Sequence, residues 1–252
     1  MAQPLEVPFA RSPAPELPAG RGVRPGFDQQ NVPLVQGLPV RKRTPALIFD
    51  FGNVVAHFDY RKACEALGRP LGMSGEAFLE RVRGLGFSPL VQRYESGKIT
   101  AEAFSREVCA LVGLEIAHGD FAAVWADIFW PNEPIARVVA DLKRRGYTLV
   151  LGSNTNDLHA AQFRRQFAET LAHFDRLVLS YEIGHIKPHA AFYHACAEAA
   201  GALPEDCVFI DDLPENVAGA RAAGLEGVVY RDVPSLLDAL RELGVEVADG
   251  QP

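Results

Sequence analysis

The chain has 252 residues, of which 48% are hydrophobic and 9% aromatic, which is enough to bury one full core and a smaller second domain. Its formal net charge is −7, and because the first 45 residues carry a net +3, the remainder stands at −10. An acidic folded body argues against nucleic acid or an anionic membrane surface as the main partner. No apolar stretch approaches the roughly 20 residues that a membrane-spanning helix needs.

The N-terminal part differs from the rest in composition. Residues 1–45 contain nine of the 18 prolines and show no apolar periodicity, so we predict a disordered, Pro-rich segment there. The N-terminus lacks the charged and then apolar layout of a secretory signal, and we expect a cytoplasmic protein. The cysteines form no CxxC pair and are expected to be reduced thiols; they are Cys64, Cys109, Cys196 and Cys207.

From residue 46 onward, short apolar runs alternate with amphipathic stretches. The runs predict strands at Ala46–Phe49, Thr148–Leu151, Leu177–Leu179, Val208–Ile210 and Gly227–Tyr230. The amphipathic stretches predict helices at Ile135–Gly146, Asp157–Phe167, Ala190–Ala200, Glu215–Gly224 and Ser235–Gly244. Continuous apolar strands separated by helices predict an α/β fold, a Rossmann-like three-layer arrangement with a parallel sheet covered on both faces.

Residues 59–134 break that alternation and are rich in helix signals. The predicted helices are Arg61–Leu67, Gly75–Gly84, Thr100–Val112 and Phe121–Ile128, and no strand is predicted among them. We therefore predict a small α-helical domain over residues 59–134, inserted after the first strand. The α/β core then comprises residues 46–58 and 135–252.

Polar side chains follow the predicted strands where each strand ends. In chain order they are Asp50, the pair Ser153-Asn154, Lys187 and the pair Asp211-Asp212. In an open parallel sheet, ligands bind just beyond the carboxyl ends of the strands, so we expect these residues to share one rim. Taken singly, each has an ordinary structural interpretation, such as a helix N-cap for Ser153-Asn154.

The set also has a chemical sense. Asp50 and the Asp211-Asp212 pair offer the hard oxygen ligands that Mg²⁺ prefers, and two adjacent carboxylates repel each other unless a cation lies between them. A carboxylate can attack phosphorus and form an aspartyl-phosphate. Lys187 and the Ser153 hydroxyl are suitable donors to the charge on the transferred phosphoryl group. The residues therefore predict a Mg²⁺-assisted phosphoryl transferase or hydrolase.

Four segments carry a family resemblance. "IFDFGNVV", "LVLGSNTN", "GHIKPHAAFY" and "VFIDDLPENVAGARAAGL" resemble the four motifs of the haloacid dehalogenase superfamily, in the family's order, between residue 46 and about residue 230. They are most similar to the bacterial α-D-glucose-1-phosphate phosphatase type and to the phosphatase domain of soluble epoxide hydrolases. The insertion at 59–134 resembles the helical cap of this branch, and "YESGKITAEAF", residues 94–104, resembles a recurrent cap segment.

The resemblance implies a role for each motif residue. Asp50 corresponds to the nucleophile and a metal ligand, Asp212 to a Mg²⁺ ligand with Asp211 beside it, and Gly52 to a ligand through its backbone carbonyl. For phosphate binding, Ser153 and Asn154 correspond to residues that contact the phosphoryl group or the leaving oxygen, Lys187 to the residue that holds the nucleophile and the phosphate, and Asn53 is a further candidate. The implied partner is a small phosphorylated metabolite.

One position departs from the family pattern. In most phosphatases of the superfamily, the residue two after the nucleophile is a second aspartate that serves as general acid and base, a contribution of roughly 10²–10⁴-fold. Here that residue is Gly52, which we expect to let the backbone turn. His57, Asp59 or a metal-bound water are candidate replacements, although for His57 a plain linker residue is the favoured interpretation and Asp59 can equally be a helix cap.

Two other functions remain open. A 2-haloacid dehalogenase uses the same nucleophile on carbon without a metal, and the Asp211-Asp212 pair argues against it. A non-catalytic phosphometabolite-binding protein is the other alternative, and the intact Asp50, Lys187 and Asp212 argue against that. The favoured prediction is a Mg²⁺-dependent phosphatase that acts on a sugar phosphate or a similar phosphomonoester through an aspartyl-phosphate.

Overall fold

The structure is a computed structural model, and it describes residues 44–248. The predicted disordered segment at 1–45 therefore lies, apart from its last two residues, outside the described residues. Within residues 44–248, every helix falls short of the length and hydrophobicity that a membrane crossing demands.

The described chain alternates strands with helices as the pattern predicted. The strands are β1 (Ala46–Phe49), β2 (Ala56–Phe58), β3 (Phe129–Pro131), β4 (Leu149–Ser153), β5 (Arg176–Leu179), β6 (Cys207–Asp211) and β7 (Glu226–Val229). The helices are α1 (Tyr60–Gly68), α2 (Gly75–Gly84), α3 (Phe87–Glu95), α4 (Ala101–Val112), α5 (His118–Ala126), α6 (Glu133–Arg144), α7 (Asp157–Gln166), α8 (Ala168–Leu171), α9 (Ser180–Ile183), α10 (Ala190–Ala200), α11 (Pro214–Ala222) and α12 (Val233–Glu242).

Five strands form one parallel sheet in the order β5-β4-β1-β6-β7. β1 is central, and Phe49 near its carboxyl end lies opposite Leu151 of β4 and Ile210 of β6. After β1 the chain builds outward through β4 and β5 and then crosses to the other side for β6 and β7. The carboxyl end of β1 is therefore the topological switch point, where open α/β sheets bind their ligands.

Both faces of the sheet are buried, so the predicted three-layer fold is confirmed. Along β1, Leu47 and Phe49 enter one buried cluster, whereas Ile48 enters a second cluster on the opposite face. This is the period-two alternation of a strand. Phe163 of α7 belongs to the first cluster and Phe192 of α10 to the second. The continuous apolar strands follow from this double burial.

The inserted segment is helical, but it differs from the prediction in two ways. Helix α3 was not predicted, and its Pro89 lies within the first turn, where proline is tolerated. The expectation of no strand in 59–134 is wrong, because β3 pairs antiparallel with β2, with His57 opposite Trp130. Strands of three residues are too short to produce a readable alternation. A separate cap domain stays a prediction.

Candidate active site

Asp50 follows β1 directly and is buried at the switch point. The chain turns sharply after it, because the Ala56 N–H donates to the Phe51 carbonyl at 2.9 Å and the Asn53 N–H donates to the Ala56 carbonyl at 2.6 Å. Asn53 has a φ of 57°, the left-handed conformation that asparagine tolerates better than most residues. The tight turn fixes the position of the Asp50 carboxylate at the rim of the sheet.

The lack of room for a side chain explains why position 52 is a glycine. We expected Gly52 to supply backbone freedom, but the left-handed residue of this turn is Asn53. A Cβ built on Gly52 would lie 2.7 Å from Cε1 of Phe58, closer than real Cβ atoms come. The Phe58 ring therefore occupies the space into which a side chain at position 52 would project. An aspartate there would have to displace that ring, which packs against Tyr60 with 5.4 Å between ring centroids.

Lys187 is the cation of the site. Its Nζ lies 2.7 Å from Oδ1 of Asp50, 2.7 Å from Oδ2 of Asp211 and 3.4 Å from the carbonyl oxygen of Gly152, and its side chain is buried. Burial alone would lower the pKa of Lys187, but the ion pairs with Asp211 and Asp50 outweigh burial and raise the pKa. The ammonium is therefore permanently charged and holds both carboxylates in place.

Asp211 is fully buried, and both of its carboxylate oxygens accept hydrogen bonds. Its carboxylate accepts from Lys187, from the Asn216 side chain at 3.0 and 3.1 Å, and from the Leu213 N–H at 2.9 Å. Asn216 was not singled out from the sequence, although it lies within the fourth motif. Asp212 is more open and accepts from the Asn53 side-chain amide at 3.3 Å. The structure thus directs the Asn53 amide, a predicted phosphate-binding group, to Asp212.

Three carboxylates meet at this point: ligand oxygens of Asp50, Asp211 and Asp212 all lie within 4.8 Å of one another. Burial raises the pKa of Asp50 above its usual range, Lys187 opposes that shift, and the two neighbouring carboxylates add to it. Burial and the Asp211 charge raise the pKa of Asp212 to about 6. One lysine does not balance three carboxylates, and a divalent cation with hard oxygen ligands fits this donor set.

The polar side chains that follow β4 have different roles: one caps a helix, and the others lie at the rim of the site. Asn156 caps α7 by accepting from the His159 N–H at 3.0 Å, so the "SNTND" stretch does cap a helix, but through Asn156 and not through Ser153-Asn154. Ser153 is buried, and its hydroxyl makes one long contact of 3.4 Å to the next carbonyl. The Asn154 amide accepts from the Lys187 N–H at 2.8 Å and donates to the Lys187 carbonyl at 3.3 Å. Asn154 therefore positions the lysine segment.

The two candidate replacements for the missing aspartate have other contacts. Asp59 caps α1 by accepting from the Arg61 N–H at 2.8 Å, and it also pairs with the Arg61 guanidinium at 2.7 Å. His57 lies on the β2–β3 ribbon, half-buried, with its ring 5.9 Å from that of Trp130. The helix-cap interpretation of Asp59 agrees with these contacts.

The inserted segment is joined to the core rim through the end of α3. The Ser180 hydroxyl lies 2.6 Å from the Glu95 carbonyl and 3.0 Å from the Thr155 carbonyl, and it accepts from the Thr155 N–H at 2.9 Å. The Tyr94 hydroxyl donates to the Asp157 carboxylate. These contacts were not predicted; the only sequence signal for them was the "YESGKITAEAF" segment.

The fold and the site define a Rossmann-like α/β enzyme with a buried aspartate–lysine pair at the end of its central strand. Comparison with known proteins names the class: residues 44–224 match the haloacid dehalogenase-like hydrolases, and the chain belongs to that family. The resemblance drawn from the four motifs is thereby confirmed.

Individual relatives agree with this placement. D-ribitol-5-phosphate phosphatase of Bacteroides thetaiotaomicron is 27% identical over 188 residues, which cover 71% of this chain and 88% of that protein. Bifunctional epoxide hydrolase 2 of Rattus norvegicus is 34% identical over 116 residues, 44% of this chain and 20% of that protein. A solved structure of a family enzyme from B. thetaiotaomicron shares the fold, with a TM-score of 0.65 and 24% identity over 77% of this chain and 98% of that one. The same enzyme has been solved in complex with magnesium and inorganic phosphate.

Proposed function

We propose that this hydrolase is a Mg²⁺-dependent phosphatase that cleaves a small phosphomonoester, a sugar phosphate or a similar metabolite, through an aspartyl-phosphate on Asp50. The observation that carries the proposal is the Lys187 ammonium 2.7 Å from Oδ1 of Asp50, within a cluster of three carboxylates. Lys187 orients Asp50 and favours its ionised form, which is the form that acts as a nucleophile. The phosphatase names of relatives support the same reaction.

Each polar group at the rim then has a role in the proposed reaction. Asp50 attacks phosphorus, and the bond from phosphorus to the ester oxygen breaks. Lys187 and the Ser153 hydroxyl donate to the phosphoryl oxygens. Asn154 holds the Lys187 backbone in position through two hydrogen bonds. Water then cleaves the aspartyl-phosphate and regenerates Asp50. We further propose that the insertion at 59–134 acts as the cap that covers this site.

Asp50, Asp212, the neighbouring Asp211 and the backbone carbonyl of Gly52 would hold the Mg²⁺. Asp50 and Asp212 each have one side-chain donor, Lys187 and Asn53 respectively, whereas Asp211 already accepts four hydrogen bonds. When bound, the cation neutralises the carboxylates and the charge on the phosphoryl group. The metal requirement separates this function from that of a 2-haloacid dehalogenase.

Phosphate release from a panel of phosphorylated metabolites, with and without Mg²⁺, tests the proposal. We expect metal-dependent turnover that Asp50→Asn abolishes, whereas Asp120→Asn, an exposed aspartate in the first turn of α5, retains it. Asp212→Asn should also remove the Mg²⁺-induced rise in melting temperature. No release from any ester in the presence of Mg²⁺, together with halide release from 2-haloacids, would replace the phosphatase by a dehalogenase. Binding of phosphate esters without any turnover would indicate a sensor.

A further inference from the structure

Glu95, the last residue of α3, is a buried carboxylate without a partner. It is only 7% exposed, and no residue between 44 and 248 forms a hydrogen bond or an ion pair with its carboxylate. Among the described residues, the one fully enclosed side-chain polar atom without a partner is Nε1 of Trp125, so the Glu95 carboxylate keeps a small contact with solvent. A carboxylate that is this deeply buried is normally paired. A group of this kind indicates a ligand or a reaction that supplies the missing contact.

The backbone around Glu95 is fixed to the rim that carries the site. Its carbonyl oxygen lies 2.6 Å from the Ser180 hydroxyl, which also binds the backbone of Thr155, two residues after Ser153. Two residues beyond Glu95, Gly97 has a φ of 67°, and a Cβ on it would collide with the Tyr181 carbonyl. The end of α3 therefore packs closely on the core, and Glu95 is held at the boundary between insertion and site.

The charged and titratable groups that face Glu95 come from the core and from α1. Lys187 is the cation that acts on it from the site, and Tyr60, with Cys64 beside it, faces it from α1. Burial raises the pKa of Glu95 to about 7, and Lys187 partly opposes the shift. Near neutral pH the carboxyl can therefore both give and take a proton, which is the condition for general acid–base catalysis.

Position 52 has no room for an acid, and two other candidate groups, Asp59 and His159, already have partners. Phe58 fills the space beside Gly52 where the family's usual aspartate would stand. Asp59 is bound to Arg61. His159 is buried with both ring nitrogens bonded, one to Asn156 at 2.9 Å and the other to the Trp125 carbonyl at 3.0 Å.

We propose that Glu95 is the general acid and base of this enzyme and replaces, from the inserted segment, the aspartate that is missing at position 52. The proposal rests on the phosphatase function proposed above. An in-line displacement puts the leaving oxygen on the side of phosphorus opposite Asp50. The end of α3 is attached to the rim through Ser180, next to the segment that carries Ser153.

Glu95 gives up a proton in the first step of the reaction and regains one in the second. As Asp50 attacks, the bond from phosphorus to the ester oxygen breaks, the electron pair remains on that oxygen, and protonated Glu95 donates its proton to give the free alcohol. The Glu95 carboxylate then accepts a proton from the water that attacks the aspartyl-phosphate. The bond from phosphorus to Asp50 breaks, inorganic phosphate leaves, and both carboxyl groups return to their starting forms.

The test compares two phosphomonoesters with different leaving groups in the full-length protein with Mg²⁺. One is p-nitrophenyl phosphate, whose phenolate leaves without protonation, and the other is the best alkyl phosphate from the panel. For Glu95→Gln we expect kcat on the alkyl ester to fall by about 10²-fold or more with a nearly unchanged KM. With p-nitrophenyl phosphate the variant should release one nitrophenolate per active site in a burst, followed by slow turnover, because the second step lacks its base.

Three controls make the result decisive. Glu80→Gln, an exposed glutamate of α2, should behave as wild type, and Glu95→Asp, which keeps a carboxyl, should recover part of the activity. The kcat/KM of wild type on the alkyl ester should fall as the pH rises above about 7, because Glu95 then loses the proton it donates. The kcat/KM of Glu95→Gln should not show this decrease. Full activity of Glu95→Gln on both esters, or a rise in KM alone, would overturn the role of Glu95. A wild type inactive on both esters would instead refute the phosphatase function.

Discussion

Replacing Lys187 by methionine tests whether the buried ion pairs hold the site together. The substitution keeps the length of the side chain but leaves the carboxylates of Asp50 and Asp211 without their common cation, which lies 2.7 Å from each. Breaking a buried pair by removing one partner costs about 3–5 kcal/mol. Lys143 supplies the matched control, because its ammonium lies 2.5 Å from Asp175 but both side chains are more than a third exposed. Lys143→Met should cost no more than about 1 kcal/mol.

The loss at position 187 should also depend on pH. Burial already raises the pKa of Asp50 above its value in the unfolded chain, and removing Lys187 raises it further. A carboxyl whose pKa is higher in the folded state destabilises the protein as the pH rises, because only the unfolded chain ionises it freely. Lys187→Met should therefore lose more stability at pH 9.5 than at pH 5.5, because wild-type Asp50, with its pKa raised to about 8, ionises beside Lys187 over that range, whereas Asp50 of the variant keeps its proton to a higher pH.

Urea unfolding followed by tryptophan fluorescence measures both effects. The two variants and the wild type are compared at pH 5.5 and pH 9.5 in the presence of EDTA, so that no cation substitutes for the lost ammonium. A loss at pH 9.5 that is no larger for Lys187→Met than for Lys143→Met would refute the reasoning.

Three further substitutions test other parts of the structure. Gly52→Ala should cost about 1–3 kcal/mol in unfolding free energy, and the cost should shrink in a Phe58→Ala background, because the alanine methyl then meets no ring. Gly97→Ala should cost more than Gly113→Ala, because both glycines have a positive φ but only the first faces a carbonyl at contact distance. His159 is buried with its pKa lowered to about 4, so its protonation in the unfolded chain favours unfolding below its ordinary value of 6.5. Relative to His159→Gln, wild-type stability should rise between pH 4 and 6.5 by up to about 3 kcal/mol.

These expectations can each fail in a distinct way. Equal losses for Gly52→Ala in the wild-type and Phe58→Ala backgrounds would mean that the ring does not restrict position 52. Similar losses for Gly97→Ala and Gly113→Ala would mean that α3 is not packed closely on the core. A constant difference between wild type and His159→Gln across the pH range would contradict a neutral, buried histidine.

The site residues that follow the core strands were predictable because the fold itself carries them to one rim. A buried parallel sheet needs unbroken apolar strands, and a charge directly after such a strand, as at Asp50 or Asp211, is therefore conspicuous in the sequence. The carboxyl ends of parallel strands lie at one edge, so residues more than 100 positions apart could be assigned to one site without coordinates. The contact between Lys187 and Asp50 was implied by the family resemblance, and the ion pair agrees with it.

Contacts between segments without such a pattern were not predictable. Ser180 and Glu95 are 85 residues apart, and neither follows from a periodicity, yet the Ser180 hydroxyl binds the Glu95 carbonyl and ties the end of α3 to the core. The ring of Phe58 explains Gly52 only when both positions are known in space.

The sequence alone determined the family, the central aspartate and lysine, and which polar residues follow the ends of the strands. Local patterns and chain direction encode all of these. Only the tertiary structure decided which acid remains unpaired, because each candidate's availability depends on the partners that packing brings to it.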